Sequence, residues 1–162
     1  MKNLVIVMFL AFGFSASAQE GESKLEWNDN LVAAVDKAIA EDKPMLLFFT
    51  GSDWCGWCKR LQAEAFFKPE FEKWANDNVV LMELDFPRRT PIAEETRQQN
   101  MNLQRMFGVR GYPTIWFVNP KKNGSEINFE KIGKTGYVRG GATAWIAEAD
   151  RILSGAPVQT QP

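Results

Sequence analysis

A continuous apolar run of strand length, Pro-Met-Leu-Leu-Phe-Phe-Thr at positions 44–50, constrains the fold most strongly. Unbroken hydrophobicity over this length indicates a strand that is covered on both faces. A second apolar run, from Val79 to Phe86, predicts another central strand, which carries Glu83 and Asp85. Together the two runs favour a sheet that lies between helices.

Helical and strand patterns alternate around these two strands. The sequence predicts helices over about 30–42, 55–67, 69–76, 97–107 and 142–153, and further strands over 24–27, 114–118 and 127–132. Asn28 and Asp29 offer an N-cap to the first helix, and its predicted apolar stripe consists of Leu31, Val35, Ala38 and Ile39. The last predicted helical face before the closing hairpin contains Met101, Arg105 and Met106.

The order of these elements is β-α-β-α-β-α-β-β-α. Its alternating first half requires parallel strands, and the hairpin signal Asn123-Gly124 requires antiparallel ones. The sequence therefore predicts an α/β fold with a central mixed β-sheet flanked by helices. One domain of ordinary size is expected.

The N-terminal residues have the pattern of an export signal. Lys2 precedes the apolar run Leu4–Phe14, and Ala16-Ser17-Ala18 is a small-x-small cleavage pattern. The alternative, a membrane anchor, needs about twenty apolar residues, roughly twice this run. We expect a signal peptide over 1–18 cleaved near Ala18, a polar leader over 19–24, the domain over 25–154 and a flexible tail over 155–162, in a periplasmic or secreted protein.

Charge and composition exclude several functions. The formal net charge is −1, which argues against nucleic acid as a partner. The chain contains no histidine, so it has no histidine base, metal ligand or pH switch. We expect a monomer with no metal and no separate cofactor.

The only two cysteines, Cys55 and Cys58, are three residues apart. On a helix this spacing places both on one face, with Cβ atoms about 5–6 Å apart, so a disulfide can open and close without refolding. In the first turn, Cys55 would meet unpaired N–H groups that favour a thiolate. Cys55 is the expected nucleophile, and Cys58, one turn further in, is the expected buried resolving thiol.

Other uses of this cysteine spacing fit the chain less well. Structural zinc needs four ligands, which two cysteines without histidine cannot supply. Haem attachment needs histidine after the second cysteine, and position 59 is Lys. An inert buried pair remains the main alternative, but Gly51, Ser52 and Asp53 indicate an exposed turn just upstream. A redox-active disulfide between Cys55 and Cys58 is therefore the preferred interpretation.

Two motifs carry a family resemblance. Trp-Cys-Gly-Trp-Cys-Lys at 54–59 and Val-Arg-Gly-Tyr-Pro-Thr at 109–114, in this order, resemble the thioredoxin superfamily over about residues 25–153. The residues of the first motif and those just before it most resemble the same segment of exported bacterial thioredoxin-like proteins. Some of those proteins are associated with disulfide reduction or cytochrome c maturation. The resemblance implies a thioredoxin fold, with Pro113 cis beside the cysteines and the Tyr112 backbone pairing with an extended substrate.

The chain also departs from that family. Thioredoxins usually carry a buried acid in the strand before the motif, where this chain has apolar residues, so Glu83 on the next strand is a candidate replacement. Pairing with an arginine or contact with solvent is an equally open interpretation of Glu83. A helical insertion over about 87–98 precedes the predicted cis-proline; a solvated loop is favoured there over a partner-selecting one.

The residues between and beside the cysteines indicate whether the pair reduces or oxidises its substrate, and which side chains contact that substrate. The dipeptide Gly-Trp lacks the histidine that makes a centre more oxidising, which favours a reductase. Trp54 and Trp57 are candidate contacts for a protein disulfide or dithiol substrate, or ordinary packing residues. An exported reductase also implies a membrane protein that supplies electrons. A disulfide oxidase or isomerase, or a non-catalytic peptide-binding module, are the alternatives.

Overall fold

The computed structural model describes residues 25–155. The expected signal peptide, the polar leader and all of the expected tail beyond Gly155 lie outside these residues. Within the described part, no helix is both long and apolar enough to cross a membrane.

Strands and helices follow one another in the predicted order. The strands are β1 Trp27–Asn28, β2 Met45–Thr50, β3 Val80–Asp85, β4 Thr114–Asn123 and β5 Glu126–Thr135. The helices are α1 Leu31–Glu41, α2 Gly56–Leu61, α3 Pro69–Asn78, α4 Glu94–Met106 and α5 Gly141–Leu153. A π-helical turn, Gln62–Phe66, directly continues α2.

The strands form one mixed sheet in the order β1-β3-β2-β4-β5. β1 and β2 both run parallel to β3, whereas β4 is antiparallel to β2 and to β5. All six residues of β2 are buried, as the apolar run 44–50 predicts. The predicted mixed sheet between helices is confirmed, and β2 lies at its centre.

Side chains of β2 alternate between two core layers, because successive residues of a strand point to opposite faces. Leu46 and Phe48 pack in the layer that contains both cysteines and Trp145 of α5. Met45, Leu47 and Phe49 pack in the opposite layer with α1 and α4. The cysteines therefore belong to the aromatic layer under α2, α3 and α5.

The start and the inner face of α1 differ from the prediction. Asn30 is the N-cap and accepts a hydrogen bond from the backbone N–H of Ala33. Asn28 cannot cap because it lies in β1, where its side chain donates to the Leu81 carbonyl. With this start, Ala34 is buried and Ile39 is exposed, so the predicted stripe was wrong at Ile39.

The predicted insertion 87–98 is only partly helical. Its first residues form a loop, and α4 begins at Glu94, earlier than the predicted Arg97. Asn100 and Leu103 are the buried residues of α4, whereas Met101 and Met106 are exposed, so the predicted apolar face was wrong. Asn100 is turned inward because its side chain donates a hydrogen bond to the Asp85 carbonyl at the end of β3.

Candidate active site

Cys55 and Cys58 form a disulfide at the start of α2. Cys55 is the N-cap of the helix, and its sulfur accepts a hydrogen bond from the backbone N–H of Cys58 at 3.2 Å. The N–H of Cys55 donates to the Gly51 carbonyl, which closes the turn that leads into the helix. An N-cap sulfur facing unpaired helix N–H groups is well placed to be stabilised as a thiolate.

The two cysteines differ slightly in exposure. Cys58 is 0% exposed, as predicted, whereas Cys55 is 4% exposed rather than the partly open residue that was expected. Both cysteines are bonded to each other and belong to the aromatic core layer. Of the pair, Cys55 is nonetheless the residue that retains accessible surface. It lies next to Gly56 and Trp57, the exposed first residues of α2.

Trp54 locks the turn before Cys55 in place. Its indole N–H donates to the Phe86 carbonyl at 2.8 Å, and its ring meets Tyr112 edge-on with centroids 5.6 Å apart. A Cβ on Gly51 would lie 2.5 Å from the indole, so only glycine leaves room for this ring. The guanidinium of Arg88 lies over the Trp54 ring, 3.9 Å from its centroid.

Asp53 ties the same turn to the loop that follows β3. Its carboxylate accepts hydrogen bonds from the backbone N–H groups of Arg88, Arg89 and Thr90. The Arg88 hydrogen bond is the main reason that the pKa of Asp53 lies below its usual value. On the other side of the turn, the Lys59 ammonium donates a hydrogen bond to the Asp53 backbone carbonyl at 3.3 Å.

Asp85 makes a second connection between β3 and the cysteine turn. Its carboxylate accepts hydrogen bonds from both the backbone N–H and the hydroxyl of Ser52. The acid at the end of β3 is therefore a structural anchor for residues just before the cysteines. Sequence reasoning noted Ser52, Asp53 and Asp85 individually but did not pair them.

Trp57 forms the other wall of the site. It is 55% exposed, and its ring centroid lies 5.1 Å from that of Tyr137 in the loop after β5. The guanidinium of Arg60 lies about equally close to both rings, at 5.4 and 5.3 Å. The Tyr137 hydroxyl donates to Glu64, and this hydrogen bond is the main cause of the lowered pKa of Glu64.

The second motif lies beside the first. The peptide bond between Tyr112 and Pro113 is cis, the geometry that the resemblance implies. The Tyr112 ring contacts Trp54 and Phe86, its hydroxyl accepts a hydrogen bond from Gln104, and burial raises its pKa. Tyr112 thus contacts Trp54, the residue that precedes Cys55. A substrate-binding role for Tyr112 and Pro113 stays a prediction.

Glu83 lies on the cysteine face of the sheet. It is opposite Phe48 in the β2–β3 register, and its alternate neighbour Leu81 packs in the cysteine layer. The pKa of Glu83 is raised, first by burial and then by the nearby charges of Asp85 and Asp29. Within residues 25–155 no arginine or lysine forms an ion pair with it.

Metal ligands are not grouped in the described part of the chain. Residues 25–155 contain no cluster of three or more His, Cys, Asp or Glu side chains that could hold a metal ion. Both sulfurs are bonded to each other. The chemistry that this arrangement offers is therefore thiol–disulfide exchange by the cysteine pair.

Known proteins are similar to this chain in both sequence and fold. The family model for a thioredoxin-like domain matches residues 31–148. The disulfide bond reductase DsbH of Chlamydia pneumoniae is 30% identical over 131 residues, covering 81% of this chain and 74% of that protein. A DsbH oxidoreductase structure superposes with a TM-score of 0.71 at 29% identity, covering 81% of this chain and 85% of the other.

A second relative is a much larger protein. Protein disulfide-isomerase of Drosophila melanogaster is 33% identical over 131 residues, which is 80% of this chain but 23% of the isomerase. The residues that the family model matches, 31–148, include both cysteines. The chain belongs to the thioredoxin-like family and is a thiol:disulfide oxidoreductase with a Cys55–Cys58 pair.

Proposed function

We propose that this protein reduces disulfide bonds of protein substrates outside the cytoplasm, with Cys55 as nucleophile and Cys58 as resolving thiol. The observation that carries the proposal is the position of Cys55 as N-cap of α2, where its sulfur accepts the Cys58 N–H. The same position gives the two thiols different access to substrate.

The reaction starts from the reduced pair. The Cys55 thiolate attacks one sulfur of the substrate disulfide, that bond breaks, and the other substrate sulfur leaves as a thiolate that takes up a proton. Cys58 then loses its proton and attacks the Cys55 sulfur of the mixed disulfide. The second substrate thiol leaves, and the protein ends with the Cys55–Cys58 disulfide seen in the structure.

Glu83 supplies a base for the second step. Cys58 is buried, so its proton cannot pass directly to bulk water. The Glu83 carboxylate lies on the same face of the sheet, and burial brings its pKa closer to that of a thiol. We infer that Glu83 accepts the Cys58 proton, either directly or through a water molecule.

The groups around Cys55 support reduction as the direction of reaction. The chain has no histidine that could stabilise the Cys55 thiolate. A less stabilised thiolate makes the dithiol a stronger reductant. The name of the DsbH relative, a disulfide bond reductase, supports the same direction.

Substrate and location are inferred from the surface and from the N-terminal sequence. The exposed Trp57 ring, with Tyr112 and Pro113 before the start of β4, offers an apolar wall and an extended backbone to a polypeptide. The export pattern in residues 1–18 supports a periplasmic or secreted location. Electrons would then come from a membrane protein that reduces the Cys55–Cys58 disulfide.

A redox equilibrium with glutathione tests the direction. The fraction of Cys55–Cys58 disulfide is measured by alkylation and mass spectrometry over a series of glutathione ratios. A reductase is expected to have a potential near roughly −270 mV. A value near about −120 mV would contradict the proposal and favour an oxidase, and an intermediate value with reactivation of a scrambled protein would favour the isomerase activity that the Drosophila relative's name states.

A further inference from the structure

The loop between β3 and α4 borders a cavity of about 390 Å³ beside the cysteine turn. Its lining includes the loop residues 86–92 and the α4 residues Arg97, Asn100 and Met101. This is the segment that the sequence marked as an insertion and that the exchange reaction leaves unused. Two features of this loop indicate a binding site: the charges that line the cavity and the hydrogen bonds that hold the loop to the cysteine turn.

Arginines are concentrated among the residues that line this cavity. Three arginines, Arg88, Arg89 and Arg97, line the cavity, and Asp85 is the only acidic residue among its lining residues. Both oxygens of the Asp85 carboxylate accept hydrogen bonds from Ser52. Among the lining residues, three arginines therefore stand against a single carboxylate that is held by the cysteine turn.

Two neighbouring acids lie close to these arginines. Glu94 lies 3.6 Å from Arg97, and both side chains are largely exposed, so the ion pair is weak. Asp53 is close to Arg89, but within residues 25–155 its carboxylate forms no ion pair with that guanidinium and accepts backbone N–H groups of the loop instead. Arg88 forms no ion pair within residues 25–155, and its guanidinium lies on the Trp54 ring.

The cavity is held next to the reacting sulfurs. Trp54 directly precedes Cys55, and the Arg88 guanidinium is 3.9 Å from the centre of its ring. Three backbone hydrogen bonds to Asp53 fix the loop against the same turn. An anionic group seated against these arginines would therefore belong to a molecule whose neighbouring residues can reach Cys55.

We propose that Arg88, Arg89 and Arg97 form a docking site for an acidic side chain of the substrate polypeptide, next to the disulfide to be reduced. The inference rests on the proposed function and adds the substrate class. The arginine fork matches a carboxylate in geometry, and a local positive field speeds the encounter with a negative partner. The protein accordingly prefers disulfides flanked by Asp or Glu.

Single-turnover reduction of two peptide disulfides tests this preference. The peptides differ only in whether Glu or Gln flanks the disulfide, and the reduced protein is mixed with each in stopped flow at low and high salt. The wild type is expected to reduce the Glu peptide about three to ten times faster at low salt, with the ratio falling towards one at high salt.

Matched variants locate the preference. The double variant Arg89→Gln with Arg97→Gln should bring the Glu-to-Gln ratio close to one while the rate with the Gln peptide stays unchanged. Arg105→Gln, which removes one positive charge from the other end of α4, should keep the wild-type ratio. Arg88→Gln alone should also lower the ratio from its wild-type value, and its effect on Trp54 is followed separately by the rate with the Gln peptide.

The outcomes separate this inference from the proposed function. An equal ratio in the wild type and the double variant, or an equal loss in Arg105→Gln, overturns the docking site while leaving disulfide exchange in place. Failure to reduce either peptide, with two free thiols counted on the protein, overturns the proposed function instead.

Discussion

Cys55 and Cys58 have the same side chain, and their positions on α2 make them chemically different. Cys55 caps the helix and receives an N–H hydrogen bond on its sulfur, whereas Cys58 is fully buried one turn later. The first favours a thiolate ready to attack, and the second protects a thiol until the mixed disulfide has formed. The buried thiol consequently needs a local proton acceptor.

Replacing Glu83 by Gln should separate the two chemical steps. The first attack by Cys55 should keep its rate, while resolution by Cys58 should slow by about tenfold to a hundredfold or more, as expected for loss of a general base. Stopped-flow mixing followed by acid quench measures the lifetime of the mixed disulfide. Equal lifetimes in wild type and variant would contradict the assignment of Glu83.

The same substitution has an expected effect on stability. Burial raises the pKa of Glu83, so its contribution to stability is fully present below the ordinary Glu pKa of about 4.3 and is lost as pH rises through the raised value. Gln stays neutral at every pH and suffers no such loss. Urea unfolding at pH 7 should therefore find Glu83→Gln more stable than the wild type, with the difference disappearing near pH 4.

Among the elements, the connection between the cysteine turn and the β3–α4 loop matters most. The carboxylates of Asp53 and Asp85 each hold one side of this connection through hydrogen bonds to Arg88, Arg89, Thr90 and Ser52. These hydrogen bonds attach the loop directly to the active-site turn. A change at Asp53 should be detected in the loop before it is detected in the sheet.

Asp53→Asn should release this loop. Its neutral amide is a weaker acceptor for three N–H groups, so amide hydrogen exchange at Arg89 and Thr90 should become faster, with the exchange of β2 unchanged. The lowered pKa of Asp53 means that the wild-type attachment is present above the ordinary Asp pKa of about 3.9 and is lost as pH falls through the lowered value. Asp77→Asn, on the exposed part of α3, is the matched control.

Sequence patterns predict some of these features and not others. The apolar runs predict β2 and β3 because burial on both faces leaves a local signature, and the cysteine spacing predicts the reactive pair. The pairing of Asn28 with Leu81, the inward Asn100, the hydrogen bonds of the loop to Asp53 and the Tyr137–Trp57 contact depend on segments far apart in sequence. Such tertiary pairing overrides local periodicity, which is why the predicted caps and helix faces failed there.

At the scale of the whole molecule, one aromatic layer supports the site. Trp145 of α5 is fully buried and contacts Phe66, Phe71 and Trp74, while its indole N–H donates to the Gly136 carbonyl. Phe66 lies in the π-helical turn that continues the cysteine helix. The layer that stabilises the fold therefore also fixes the direction of α2.

Two tryptophan substitutions should separate stability from substrate contact. Trp145→Ala empties a buried site and should lower the free energy of unfolding by about 3–5 kcal/mol. Trp57→Ala removes a ring that is 55% exposed and should lower it by less than about 1 kcal/mol. Urea unfolding measures both, and Trp57→Ala should slow the reduction of an apolar peptide disulfide. Equal losses of stability would contradict this division of roles.

Covalent trapping tests the central claim, that Cys55 attacks and Cys58 resolves. Reduced Cys58→Ser and Cys55→Ser proteins are mixed with one peptide disulfide, quenched with acid and analysed by peptide mass spectrometry. The account predicts a stable mixed disulfide on Cys55 in the Cys58→Ser protein and little or no adduct on Cys58 in the Cys55→Ser protein over the same time. Adducts that form equally fast on both cysteines, or faster on Cys58, would contradict it.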